Sequence, residues 1–551
     1  MLLLLTLFIG TLAACGTWLL LRARTFDAIL GLTLLSYAVN LFIFAMGRVR
    51  VNAVPIVEPG LAATLATLPA IAQTPSTLRI GLQEDPDVLD PHKARTFVGR
   101  IVFKGLCDKL LDITPDLKIV PRLATEWSFS ADGLTLTMKL RSDAKFHDGE
   151  AFDAEAAKAN LERARTLPDS LRKSELASVD SVTVVDATTI SLRLKRPDAT
   201  LLAQLTDRAG MMLAPKSLAG DVGSKPVCSG PYKFVERVQN DRIVLERFKE
   251  HWEAQNYHFD RVLYRSIPDT TVRLANLRSG ELDMLERLAP TDVKSAQGDR
   301  ALKVTSIANL GYQGITINTA HGDAAKQPMG QDKRVRQALS LSIDRKVLSQ
   351  VVFEGLYEPM VQPFNPGNSY VSADFPVPAR DVAKAKALLK EAGLTKVSVE
   401  LFVTNNPVDA QLGQVIQAMA AEAGIDIQIR STEFASQLRD QQQGKFQMSR
   451  IGWSGRIDPD GNLHQFVTSK GNQNDGRYSN AEVDRLLDEA RTVYDVAERK
   501  KRYDAAQKFL QDELPIVYLY NQTVFFALRS NLSGFVINPD GMIRLAGIKR
   551  S

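Results

Sequence analysis

Three groups of residues have side chains that could react or hold a metal. Asp458-Pro459-Asp460-Gly461-Asn462 spaces its oxygens like the opening of a calcium loop, but such a loop needs a bidentate glutamate at its twelfth position, where Ser469 stands. His147, in Lys145-Phe146-His147-Asp148-Gly149, is the histidine best placed to act as a base. It sits in a turn after a strand, where a structural histidine is the more common case. The three cysteines, Cys15, Cys107 and Cys228, form no CxxC pair and no cluster with histidine, which argues against structural zinc. No Walker A, GxSxG or HExxH motif occurs, so the common hydrolase signatures are missing. The expectation is a protein that is not an enzyme and that needs no metal and no cofactor.

The elements around these residues belong to a chain of 551 residues, too long for one core and suited to three or four. Residues 1–57 hold four arginines, Arg22, Arg24, Arg48 and Arg50, against one acid, Asp27. They carry +3 of the chain's net +5, which leaves +2 on all that follows. So nearly neutral a remainder excludes a nucleic-acid binder, which concentrates basic charge on its folded domain.

Met1–Leu21 and Phe26–Met46 are apolar runs of about 20 residues, each long enough to cross a hydrocarbon core as a helix. Their short Arg22/Arg24 link predicts a two-helix transmembrane hairpin over 1–57. Residues 58–77 read as a linker with a signal-peptide remnant, ending in the A-x-A step Ala70-Ile71-Ala72. From Thr77 the pattern is mixed. Leu134, Leu136, Met138 and Leu140 alternate with polar residues after the Asp132-Gly133 turn, as a half-buried strand does. Tyr232–Val238 and Arg242–Phe248 read as a hairpin. Val335–Phe353 reads as one long amphipathic helix. Gly393 and Gly424 follow helices over 382–392 and 410–423, and Ser479-Asn480-Ala481-Glu482 reads as a capping box. Asp495 and Glu498 start the last long helix, Pro515 stops it, and Ile516–Tyr520 reads as a buried strand. Strands first and βα units later suit two α/β lobes.

Two resemblances add to this. GTWLLLRART, ILGLTLLSYAVNLFIFAMGRVR and NAVPIV lie within about residues 5–57. They resemble the N-terminal half of a small membrane protein of the multisubunit cation/proton antiporters, one related to a component of respiratory complex I. Half of such a protein does not imply antiport. The rest, about 77–551, resembles family 5 of the bacterial extracellular solute-binding proteins, the peptide- and nickel-binding group of ABC importers. The matching pieces are Leu123-Ala124 with Trp127, Ser130 and Asp132-Gly133, then Leu140-Arg141 through Phe146-His147-Asp148-Gly149. Further along come Ser229-Gly230-Pro231-Tyr232, Gly280-Glu281 with Asp283, Val335-Arg336-Gln337-Ala338 with Ile343-Asp344-Arg345, and Trp453-Ser454-Gly455.

The resemblance implies a two-lobed class II periplasmic-binding-protein fold, with lobe one over 78–272 plus 516–551 and lobe two over 273–515. It implies a small peptide-like ligand in an interlobe cleft, ABC permease subunits as partners, and a periplasmic location, tethered to the inner membrane if residues 1–46 span it. The competing readings are a membrane fragment of a cation/proton antiporter and a secreted hydrolase. In peptide-binding members an aspartate follows the Trp-Ser-Gly step and meets the ligand's α-amino group; here Arg456 stands there. The resemblance therefore places Trp453, Ser454, Gly455, Arg456, Asp458, Asp460 and Asn462 at the ligand, with Arg456 selecting an acidic group. The alternative is an Arg456 spent on Asp458 or Asp460. In an exported domain Cys107 and Cys228 either form a disulfide in lobe one or stay separate buried thiols.

Overall fold

The structure, a computed structural model, describes residues 75–551. The hairpin, the antiporter-like stretch and the signal remnant up to Thr74 lie outside the described residues. Among the described residues no helix is long and apolar enough to cross a membrane.

Two large sheets organise the chain. The first runs, edge to edge, through Leu302–Ala308, Thr523–Arg529, Met284–Leu285, Thr77–Leu82, Arg261–Ser266, Arg242–Arg247 and Tyr232–Val238. Thr77–Leu82 is its central strand and pairs in parallel with both neighbours. Val262, Tyr264, Ile80 and Leu82 are buried, as expected for strands covered on both faces. The second sheet runs through Glu358–Pro359, Ile516–Asn521, Tyr312–Ile317, Met448–Trp453, Val397–Thr404 and Ile425–Thr432. Its Val397–Thr404 strand, the helix Pro407–Glu422 and the parallel strand Ile425–Thr432 form a βαβ unit.

A separate four-stranded antiparallel sheet, Ala124–Phe129, Thr135–Leu140, Thr189–Leu194 and Val179–Asp186, has its own core, with Ala154–Thr166 packed on one face. Leu136, Met138 and Leu140 point into that core, as their alternation predicts. Cys107 and Cys228 form a disulfide with a Cα–Cα distance of 4.9 Å.

Four sequence expectations need correction. Ile516–Asn521 belongs to the second sheet, beside Tyr312–Ile317, and only Thr523–Arg529 returns to the first. The chain passes from the first sheet to the second at Asn309–Gly311, not near 272, because Met284–Leu285 and Leu302–Ala308 are strands of the first sheet. The two crossings meet: the Asn309 N–H donates to the Gln522 carbonyl at 2.9 Å, and Asn521 Nδ2 donates to the carbonyls of Asn309 and Gly311. The helix expected over 335–353 is two helices, Lys333–Ser342 and Arg345–Phe353, because Asp344 turns outward and caps the N–H groups of Lys346 and Val347. In the 479–482 box it is Asn480, not Ser479, that caps the helix Ala481–Arg491.

Candidate functional site

Between the two sheets lies a cavity of about 90 Å³ that opens to solvent. From the first sheet it takes Gln83 and Glu84, just past the central strand, the start of the helix Phe97–Leu106, and Arg287. From the second it takes Tyr312, Gln313, Arg450, Trp453 and Ser454, with Asp409 from the helix Pro407–Glu422. Residues beyond the C-terminal ends of parallel strands thus face the gap, where open α/β sheets place their ligands.

Of the seven residues expected at the ligand, Trp453 and Ser454 line this cavity. Trp453 ends the strand Met448–Trp453, and its indole N–H has no hydrogen-bond partner among the described residues. Ser454 Oγ accepts from Arg100 Nη1 at 2.9 Å, a bond from one sheet's body to the other's. Gly455 is required by space: φ is +77°, and a Cβ there would lie 2.3 Å from the carbonyl carbon of Leu310 and 2.4 Å from the nitrogen of Gly311.

The other four sit behind this wall. Arg456 is 6% exposed and stacks on Trp453, its guanidinium carbon 4.3 Å from the ring centroid. Its Nη1 donates to the Gly455 carbonyl at 2.8 Å, and its Nε lies 3.5 Å from the Asp207 carboxylate. Asn462 accepts from the Arg456 N–H at 2.7 Å and donates to the Leu310 carbonyl, pinning the loop to the first crossing. Asp458 takes a bidentate pair from Arg499 at 2.8 and 2.9 Å, and Asp460 takes one from Arg491 at 2.7 and 2.8 Å. Neither aspartate neutralises Arg456; Asp207 does, and it also pairs with Arg100. Burial alone would raise the Asp207 carboxyl, but Arg100, Arg456 and Arg208 hold it well below the usual range. Burial, helped by Arg100, pushes Arg456 down to about 9 against the pull of Asp207. In this geometry the Arg456 guanidinium is engaged with the protein through Nη1 and Nε and lies outside the cavity lining, with Nη2 left without a hydrogen-bond partner among the described residues.

The cavity holds charged groups that the sequence analysis did not single out. Arg95 forms a pair with Asp475 at 2.7 Å. Arg450 pairs with Asp409 at 3.2 Å and donates to the Tyr520 hydroxyl. Asp409 also accepts from Thr404 and Asn406. Glu84 is 9% exposed, and burial pushes its carboxyl up to about 8, with Arg287 opposing the rise. A signal for Glu84 existed only in its place, two residues beyond the strand Thr77–Leu82. His147 proves to be a brace: one ring nitrogen lies 2.9 Å from the Gly230 carbonyl, the other accepts from the Cys228 N–H, and burial pushes its pKa down to about 4.

Known proteins agree with this architecture. The model of the bacterial extracellular solute-binding proteins, family 5 Middle, matches residues 118–474. The glutathione-binding protein GsiB of Pectobacterium atrosepticum is 30% identical over 502 residues, which cover 88% of this chain and 96% of that one. GsiB of Escherichia coli O1:K1 is 29% identical over 502 residues, covering 88% and 96%. The periplasmic binding protein DppA of Helicobacter pylori, solved with the peptide STSA, superposes with a TM-score of 0.78 at 25% identity, over 86% of this chain and 98% of that one. The chain belongs to the bacterial extracellular solute-binding proteins of family 5 and is a substrate-binding component of an ABC importer.

Proposed function

We propose that this protein captures a short peptide-like solute, with glutathione the first to try, in the cavity between its two sheets and passes it unchanged to ABC permease subunits. The observation that carries this is the cavity itself. It is walled by both sheets, bordered by Trp453 and Ser454, and supplied with charges of both signs. Similarity to glutathione-binding relatives over almost their whole length supports the choice of ligand.

The test is calorimetric titration of the protein with glutathione, a dipeptide and a tetrapeptide, with the ligand analysed by mass spectrometry afterwards. The expected result is 1:1 binding of at least one of them and its recovery intact. No binding of any of the three, or recovery of cleaved fragments, overturns the reading.

The second element of the proposal concerns the first 57 residues. Their two apolar runs, joined by Arg22 and Arg24, form a membrane hairpin that tethers the protein to the inner membrane with the binding domain on the periplasmic side. Fractionation tests it: the protein should stay with membranes after a salt or carbonate wash. Release of the full chain into the periplasmic fraction overturns the tether.

A further inference from the structure

The cavity lining includes five charged side chains, and four of them have an ion-pair partner. Arg95 is taken by Asp475, and Arg450 and Asp409 take each other. Arg287 has Glu286, through its Nε alone, and Glu84 is left without a partner. Glu84 makes no hydrogen bond or ion pair with any described residue, although it is more than nine-tenths buried. A carboxylate in that position is costly to keep ionised without a partner. The Arg287 guanidinium donates no hydrogen bond to a described residue. It lies 4.2 Å over the Phe97 ring, with its Nε 3.4 Å from Glu286.

These two residues are brought together by the sheet. Thr77–Leu82 and Met284–Leu285 are parallel neighbours with Gly81 opposite Leu285, so Glu84 and Arg287 both emerge just past the same end of adjacent strands. Each segment is held. The Gln83 N–H donates to Glu286 Oε1 at 2.8 Å, and Arg273 Nη2 donates to the Arg287 carbonyl at 3.1 Å. Arg287 adopts φ +49°, a conformation in which a non-glycine residue is uncommon and which tends to collect at functional sites. The arrangement is one unpaired carboxyl and one cation with Glu286 as its only ion-pair partner, both lining the same cavity.

We propose that Glu84 and Arg287 clamp the two charges of a free α-amino-acid head group, Glu84 on the α-ammonium and Arg287 on the α-carboxylate. Such a head group is what a γ-glutamyl peptide presents. An ordinary α-linked peptide does not present it, because its N-terminal residue has spent its α-carboxylate in the peptide bond. The inference rests on the reading that this cavity takes a peptide-like solute, and it specifies which end of that solute docks and how. A guanidinium grips a carboxylate with two parallel bonds, and burial strengthens both contacts.

A pH signature follows. Around Glu84, Arg287 favours the ionised carboxylate, while burial and the acids Glu286, Asp409 and Glu433 disfavour it. Between pH 6 and 8 much of the unliganded protein carries a proton on Glu84. An arriving ammonium favours the ionised form, so binding releases that proton and affinity rises with pH across this range.

The experiment is calorimetry on the full chain with four probes: glutathione, its α-linked isomer α-Glu-Cys-Gly, glutaryl-Cys-Gly, which lacks the ammonium, and 4-aminobutanoyl-Cys-Gly, which lacks the α-carboxylate. The expected result is that each of the last three binds about ten- to a hundredfold more weakly than glutathione. Glu84→Gln should weaken glutathione similarly but leave the glutaryl probe nearly unchanged, and Arg287→Gln should spare the 4-aminobutanoyl probe. Buffer-dependent heats should show proton release in the native protein and none in Glu84→Gln. Glutathione binding with the α-linked isomer equally tight overturns the clamp and leaves the importer reading standing. Failure of the native protein to bind any probe, dipeptide or tetrapeptide overturns both. The probe series on the native protein decides the matter even if a variant does not fold.

Discussion

Two groups of charges flank Trp453, and they differ in how far they are satisfied. Behind it, Arg456 and Arg100 converge on Asp207, Arg491 on Asp460, and Arg499 on Asp458, all largely buried. In front of it, across the cavity, Glu84 lacks such a partner, and Arg287 has only Glu286, 3.4 Å from its Nε. The first group looks like a binding site in the sequence, because it follows a recognisable Trp-Ser-Gly step. The second has no motif. A charge available to a ligand is one the fold has not already used, and only the three-dimensional pairing reveals which those are.

The contrast can be broken at its strongest point by Asp207→Ala. This leaves Arg100, Arg208 and Arg456 buried without their shared carboxylate. It should cost about 3–5 kcal/mol of stability, read as a lowered denaturant midpoint at unchanged slope. A loss below about 1 kcal/mol would show that the rear group is not the structural set described here. Gly455→Ala tests the same wall through its backbone. A methyl at φ +77° against Leu310 and Gly311 should cost more than about 1 kcal/mol, measured by thermal unfolding.

Glu84→Gln should behave in the opposite way. The native carboxyl is raised to about 8, above its unfolded value, so the folded protein holds a proton that the unfolded chain has lost. The stability tied to this group is present at low pH and declines as pH rises from about 4.5 towards 8. The glutamine variant removes that decline. It should melt at or above the native temperature at pH 8, with the difference shrinking towards pH 5, even as ligand affinity falls. Melting below the native protein at pH 8 would count against an unpaired Glu84. The smallest effect belongs to Arg456→Met. It should leave the affinity order of free and amidated peptides unchanged and shift affinity by less than about threefold. A reordering of those ligands would return Arg456 to the binding site.

The elements were largely legible because they rest on local signals. The alternation at Leu136, Met138 and Leu140, the Asp495 cap and the glycines at 393 and 424 each act within a few residues. The break at Asp344 was legible too, but apolar periodicity on both sides masked a capping aspartate. What was not legible was long-range. Which sheet Ile516–Asn521 joins is decided by partners two hundred residues earlier, since it pairs with Tyr312–Ile317. In the same way, Arg456 meets Asp207 across 249 positions of sequence, and no local pattern around either residue announces the other.

The disulfide has a consequence of a different kind. The 121-residue separation between Cys107 and Cys228 contains the entire four-stranded sheet and its core. Beside the bond the two chain segments touch, with the Gly230 N–H donating to the Leu106 carbonyl at 2.8 Å and a Cβ at Gly230 excluded by that same backbone. The four-stranded body is therefore an excursion that leaves and rejoins the molecule through one sealed neck. In architectural terms it is a side lobe entered and left at one point, yet seated on the rest by Asp207 under Arg100 and Arg456, by the Arg163–Asp90 pair and by Arg491 on the Ser174 carbonyl, so cutting it out would strip those buried groups of their partners.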